Sequence, residues 1–433
     1  MRHSLAWTAS FALVATLSLA ACGGGGESGS GGGTGGAGGG TVRVTLANHV
    51  WTDNIKQALP EFEKESGIKV ELTQLGEDQL SDQYNVKLNA GTDEIDVMMY
   101  RPLQEGKLFA KNGYLAELTD KVKGDSDYAW DDFQASPVSA TSDEGKVMGV
   151  PLITEREVLY YRKDLLEKSK LQVPKTLDEL KTSAAKIKAD NPGTAGFVAR
   201  TAKTAAVTQF SSFLFSYGGD FMKDGQASVN TPEAKQAYAM YGGLIKDSGP
   251  ANVSTDMSWP DSMAIFTQGQ AGFYTEADSL YKNATDPAKS KVAENVGFAV
   301  FPAGPAGSKP YNIPSWALGV NEATKNQDNA WTFIKWATSK QQVLTQQQAG
   351  VPGARQSAWD DPKGIESYPD DLAEAIKASL ESGVDHDRPV VVQVAKSREI
   401  VGAPIVDAIT GKDSGASADA AQAAFQKFLD EEK

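Results

Sequence analysis

The 433-residue chain has a single cysteine, Cys22, and only three histidines. One cysteine excludes an internal disulfide framework. His3, His49 and His386 are too few and too scattered for a three-histidine zinc centre or an H-E-x-x-H helix. A G-x-S-x-G nucleophile elbow is missing too. Basic residues are in deficit: 42 Lys and Arg stand against 56 Asp and Glu, for a net charge of −14. That balance argues against nucleic acid or an anionic lipid surface as partner, since both need a basic face. After residue 19 no apolar run is long enough to span a bilayer.

The apolar run that does occur, residues 5–19, follows Met1-Arg2-His3 and leads into Leu19-Ala20-Ala21-Cys22. It is short and interrupted by Ser and Thr, the layout of an export signal over residues 1–21. Leu-Ala-Ala-Cys resembles the bacterial lipobox, whose cysteine is acylated and becomes the mature N-terminus. The resemblance implies that Cys22 is lipidated with several acyl chains. At about 0.8 kcal/mol per buried methylene, more than one chain is needed for lasting attachment. Residues 22–40 continue almost entirely as Gly and Ser, a flexible tether. A G-x-G-x-x-G match within that run has no strand before it and no helix after it, so it reads as linker.

The remaining length suits two domains. Val42, Val44 and Leu46 alternate with polar residues as a strand, and residues 53–65 place Ile55, Ala58, Leu59 and Phe62 on one helical face that Gly67 stops. A strand over 68–72, a helix over 78–90 and a buried strand over 95–100 follow. This β-α-β-α-β order predicts an α/β fold with ligands at the carboxyl ends of strands, where Asn48, His49 and Arg101 fall.

Further along stand Val150-Pro151-Leu152, Thr154-Glu155-Arg156 and Leu159-Tyr160-Tyr161-Arg162-Lys163-Asp164-Leu165-Leu166. Then come Thr176-Leu177-Asp178-Glu179-Leu180, Phe266-Thr267-Gln268-Gly269-Gln270-Ala271-Gly272-Phe273, Phe301-Pro302-Ala303-Gly304 and Ala330-Trp331-Thr332-Phe333-Ile334-Lys335-Trp336. In this order, from residue 42 to the C-terminus, the motifs resemble those of the family 1 extracellular solute-binding proteins, the maltose- and trehalose-binding type that serves bacterial carbohydrate ABC importers. The resemblance implies a two-lobe periplasmic-binding-protein fold, type II-like, with a hinge of two or three crossings and a cleft that closes on solute. The expected lobes are 41–153 plus 274–317, and 154–273 plus 318–433.

Sugar recognition needs aromatic faces for the C–H side of a ring and paired donors and acceptors for its hydroxyls. Trp331 and Trp336 sit in an apolar helical pattern and read as core. Trp316 ends a loop that feeds a strand, and the resemblance makes it the platform under a sugar ring, although Pro314-Ser315 stands where the family has Gly-Gly. Trp259 opens a helix and is either a cleft residue or a helix-start staple. By the same resemblance Glu155, in the crossing, bonds sugar hydroxyls; Arg355 faces the cleft from a Pro-x-x-Arg turn; and Glu276 and Asp278 stand just beyond the return crossing, with Ala277 where a tryptophan is common. Arg101 replaces an acidic residue that many relatives carry. With Arg156, Arg200 and Arg355 it matches an anionic sugar, or else it simply pairs with a carboxylate such as Glu77.

The expected function is therefore an extracytoplasmic, lipid-anchored substrate-binding protein that captures a sugar or sugar derivative and delivers it to ABC importer permease subunits. The expectation is of a monomer with no cofactor, no metal and no catalysis. Alternatives within the class are a polyol, acidic sugar, glycerol-phosphate or peptide ligand. Outside it stand an exported glycosidase, since two facing carboxylates are invisible in sequence, and a sensory or structural lipoprotein.

Overall fold

Val42, Val44 and Leu46 are buried in β1 (Gly40–Ala47), which pairs in parallel with β2 (Ile68–Leu75) on one side and β3 (Val97–Tyr100) on the other. The structure is a computed structural model that describes residues 39–432. The expected signal, Cys22 and the tether up to residue 38 lie outside the described residues. The parallel strands are joined by α1 (Val50–Ser66), which buries Trp51, Ile55 and Phe62, and by α2 (Glu77–Asn89). Gly67 ends α1 at φ 70°, and its N–H donates to the Glu63 carbonyl at 3.0 Å. That left-handed turn favours glycine.

β4 (Val150–Arg162), β5 (Ala195–Val198), β6 (Ala271–Ala277), β7 (Val296–Val300) and β8 (Asn312–Val320) complete an eight-stranded sheet in the order β2-β1-β3-β8-β4-β6-β5, with β7 also on β4. β4 is the crossing. Its first half, Val150 to Arg156, runs antiparallel to β8; its second half, Glu157 to Arg162, runs antiparallel to β6 and β7. Helices α3 (Leu177–Asp190), α4 (Lys203–Ser216), α5 (Trp259–Thr267), α6 (Gln327–Ala337) and α7 (Val394–Val401) cover the faces. The Thr176-to-Glu179 motif is a capping box at the start of α3, each side chain bonded to the other's backbone N–H.

Two apolar regions flank the crossing. The first contains Val42, Ile55, Val97, Val150 and Leu318. The second, in two clusters, contains Leu159, Phe197 and Phe273, and Val158, Tyr274 and Phe298. Each region draws on segments far apart in the chain. Tyr274, Tyr281 and Phe298 pack in the second region, because β6 and β7 pair with the far half of β4. Ala330, Phe333, Ile334, Val351 and Ala354 pack in the first, because β8 pairs with β3 and α6 then lies against β1. Trp331 and Trp336 pack on that same core, Trp336 with its ring 4.8 Å from Phe62.

Candidate functional site

Between these regions lies a cavity of about 340 Å³, within the ~300–1,000 Å³ range of small-molecule sites. On the side of the first region it is lined by His49, Glu77, Arg101, Gln104 and Trp316. His49 caps α1 with its Nδ1, which accepts from Trp51 N–H at 3.0 Å. Burial pushes its imidazole down to about 4, against the opposing pull of Asp53, so the ring is neutral and its other nitrogen is a donor. Arg101 follows β3. Its guanidinium reaches Glu105 at 2.7 Å, Ser81 Oγ at 2.8 Å and Glu77, and lies 5.9 Å from the Trp316 ring centre. Of the two readings of Arg101, pairing with Glu77 is what the geometry shows.

Trp316 is 8% exposed and sits between two register irregularities in the β8–β4 pairing, after Pro314 and before Ala317. Bulges re-aim a side chain that regular pleating would fix.

From the crossing and the second region come Glu155, Arg200, Trp259, Arg388 and Arg398. Burial pushes Glu155 up to about 7, against a 2.8 Å bond from Ser279 Oγ and with repulsion from Asp278 and Glu276. Arg200 grips Glu276 through Nε at 2.8 Å and through Nη2. Trp259, 40% exposed at the first position of α5, also faces the cavity.

Five expected residues are not on the cavity wall. Asn48 is exposed beside it. Arg156 and Asp278 are fully buried and clamp each other, with Arg156 Nε to Asp278 Oδ2 at 2.7 Å and Arg156 N–H to Oδ1 at 2.9 Å, while Arg156 stacks 4.9 Å from Trp359. Glu276 is sealed behind Arg200 and also accepts from Tyr274 Oη at 2.7 Å. Arg355, also fully buried, donates to the carbonyls of Thr338, Ala129 and Tyr128 and lies 4.0 Å from the Phe133 ring centre. It therefore locks the 128–133 loop instead of facing the cleft. Two arginines escaped the sequence reading, Arg388 and Arg398; the charged run Asp385-His386-Asp387-Arg388 was the available signal.

The cavity combines one stacking face, a second exposed indole, donors and acceptors, which suits non-covalent capture of a hydroxylated molecule. Among the described residues no cluster of His, Cys, Asp and Glu could hold a metal ion, and no helix is long and apolar enough to cross a membrane.

The chain belongs to the bacterial extracellular solute-binding protein family, whose profile matches residues 48–344. That is a family of binding proteins rather than enzymes. A probable ABC transporter-binding protein of Deinococcus radiodurans is 30% identical over 300 residues, covering 67% of this chain and 70% of that one. Among solved structures, an ABC transporter solute-binding protein from Agrobacterium radiobacter K84 in complex with ribitol is similar at a TM-score of 0.77 and 25% identity, over 90% of this chain and 98% of that one. Maltose-bound T. maritima MalE3 gives 0.76 and 27%, over 90% and 100%. The two-lobe fold is shared with both.

Proposed function

We propose that this protein captures a sugar or polyol of about monosaccharide size and delivers it to the membrane subunits of an ABC importer. The carrying observation is the cavity wall: Trp316 with the Arg101 guanidinium 5.9 Å from its ring centre, and Glu155 and Arg200 also lining the same space. A volume of about 340 Å³ favours one ring or an open chain over an oligosaccharide. The ribitol and maltose complexes of its structural relatives support the chemical class.

In this reading the lobes follow the two apolar regions, and β4 and β8 form the hinge. Both lobes contact the solute only when closed, so binding shifts the equilibrium toward the closed form, which docks on the importer. Cys22 carries the lipid anchor, the 22–40 segment tethers the protein at the outer face of the membrane, and the protein works as a monomer.

A thermal-shift panel of neutral sugars, polyols, acidic sugars and sugar phosphates tests this. A ligand at 100 times its Kd stabilises the fold by about 2.7 kcal/mol, a clear shift. Silence across pentoses, hexoses, disaccharides, their alditols and the acid and phosphate derivatives of these would sink the proposal.

A further inference from the structure

The four arginines on the cavity are unequally matched. Arg101 has Glu105 and Glu77, and Arg200 has both oxygens of Glu276. Arg388 holds Asp387 through two bonds of 2.6 and 2.5 Å. Arg398, on α7, meets only neutral oxygens: its Nε donates to the Thr204 carbonyl at 2.8 Å and its Nη2 to Thr208 Oγ1 at 3.0 Å. Arg388 Nη2 donates to the same hydroxyl at 3.3 Å. Among the described residues, Arg398 has no carboxylate within ion-pair distance. This corner of the cavity thus carries two guanidinium groups and one carboxylate.

A guanidinium does not shed its proton, and burying it near a second one is costly unless an anion stands opposite. Burial first and Arg388 second work against the charge of Arg398, and Asp387, already held by Arg388, partly offsets them. The start of α4 adds to the same corner. Its N-cap, Ala202, offers no side-chain hydrogen bond, and Ala205 and Thr208 line the cavity, so the partial positive charge of the helix start falls on that wall. The carboxyl groups of Glu77 and Glu155 line the cavity elsewhere and suit hydroxyls.

We propose that the ligand is an acidic sugar or polyol whose carboxylate or phosphate is received by Arg398 and Arg388 at the start of α4, while its hydroxylated body meets Trp316, Glu155 and Arg101. This rests on the sugar-or-polyol reading above. It moves the anion site away from Arg101, whose charge is already matched.

Isothermal titration of matched pairs tests it: D-mannitol against D-mannonate and D-mannitol 1-phosphate, and D-glucose against D-glucuronate and D-glucose 6-phosphate, at low and high salt. The acid member of a pair should bind about tenfold or more tighter than its neutral partner, as charge-assisted bonds require, with the gap narrowing in salt. The carboxylate and phosphate arms distinguish the two anions. Arg398→Gln should erase most of the gap by weakening the acid member well beyond its neutral partner, and Arg398→Lys should keep part of it. If Arg398→Gln fails to fold, the wild-type pairs still decide. Neutral members binding as tightly as their acids would overturn this inference and leave the sugar-or-polyol reading standing; failure of every member here together with silence across the full thermal-shift panel would overturn both.

Discussion

Arg156 and Arg355 differ from Arg101 and Arg200 less in their partners than in what lies on their far side. All four are hydrogen-bonded to protein, and all but Arg355 hold a carboxylate at about the ideal length. Arg156 and Arg355 are fully buried with an aromatic ring against the guanidinium. Arg101 and Arg200 line the cavity, with side chains 25% and 12% exposed. A sealed arginine can only hold structure together; one at a wall keeps donors that a ligand can use without breaking the fold. Arg398 extends the contrast, because it stands at the wall without a carboxylate.

The largest effect should come from breaking a sealed pair. Asp278→Ala leaves Arg156 without its carboxylate inside the crossing, and uncompensated buried charge costs about 3–5 kcal/mol. Urea unfolding should show a lower midpoint and an unfolding free energy reduced by that amount, while the protein that remains folded binds its solute with near-normal Kd. A lost affinity with unchanged stability would place Asp278 on the ligand and erase the contrast.

Arg101→Ala is the converse at the wall. It removes a cation from over Trp316 and leaves Glu77 on the cavity wall and the mostly buried Glu105 without their guanidinium. Loss of a charge-assisted contact predicts about 1.5–3 kcal/mol in binding, read by titration, with a stability change smaller than that of Asp278→Ala because Arg101 and Glu77 are partly solvated. Neutral and acidic ligands should weaken alike, unlike the Arg398 variant. Selective loss of acidic ligands would return the anion site to Arg101.

What could be read from sequence follows from periodicity. The alternation of Val42, Val44 and Leu46 and the helical face of Ile55 and Phe62 show in the chain because each element buries one face. Lobe membership does not show, since β4 belongs to both regions and chain order cannot say which half a later strand joins. His49, Arg101, Glu155, Trp259 and Trp316 reach one cavity from strand ends, a helix start and the crossing. Neighbours on a strand point to opposite faces, so Glu155 at the wall already implied that Arg156 faces away, and Ala277 at the wall implied the same of Glu276. Arg388 and Arg398 lie in a loop and a short helix near the C-terminus, far in sequence from the strands whose ends they approach.

The smallest effect sharpens the comparison on the acidic side. Glu155 is pushed up to about 7 by burial, with Asp278 and Glu276 repelling and Ser279 and Arg200 opposing. A carboxyl raised above its unfolded value near 4.5 keeps its proton in the fold after the unfolded chain has lost it, so its contribution to stability declines as pH rises from about 4.5 to about 7. Glu157, also pushed up by burial, slopes the same way. Glu155→Gln should therefore flatten the fall in melting temperature between pH 5 and pH 7.5 without abolishing it, and should stabilise the protein most at the alkaline end. Parallel wild-type and variant curves would mean that Glu155 is already ionised and solvated, a wall residue with the electrostatics of an exposed one.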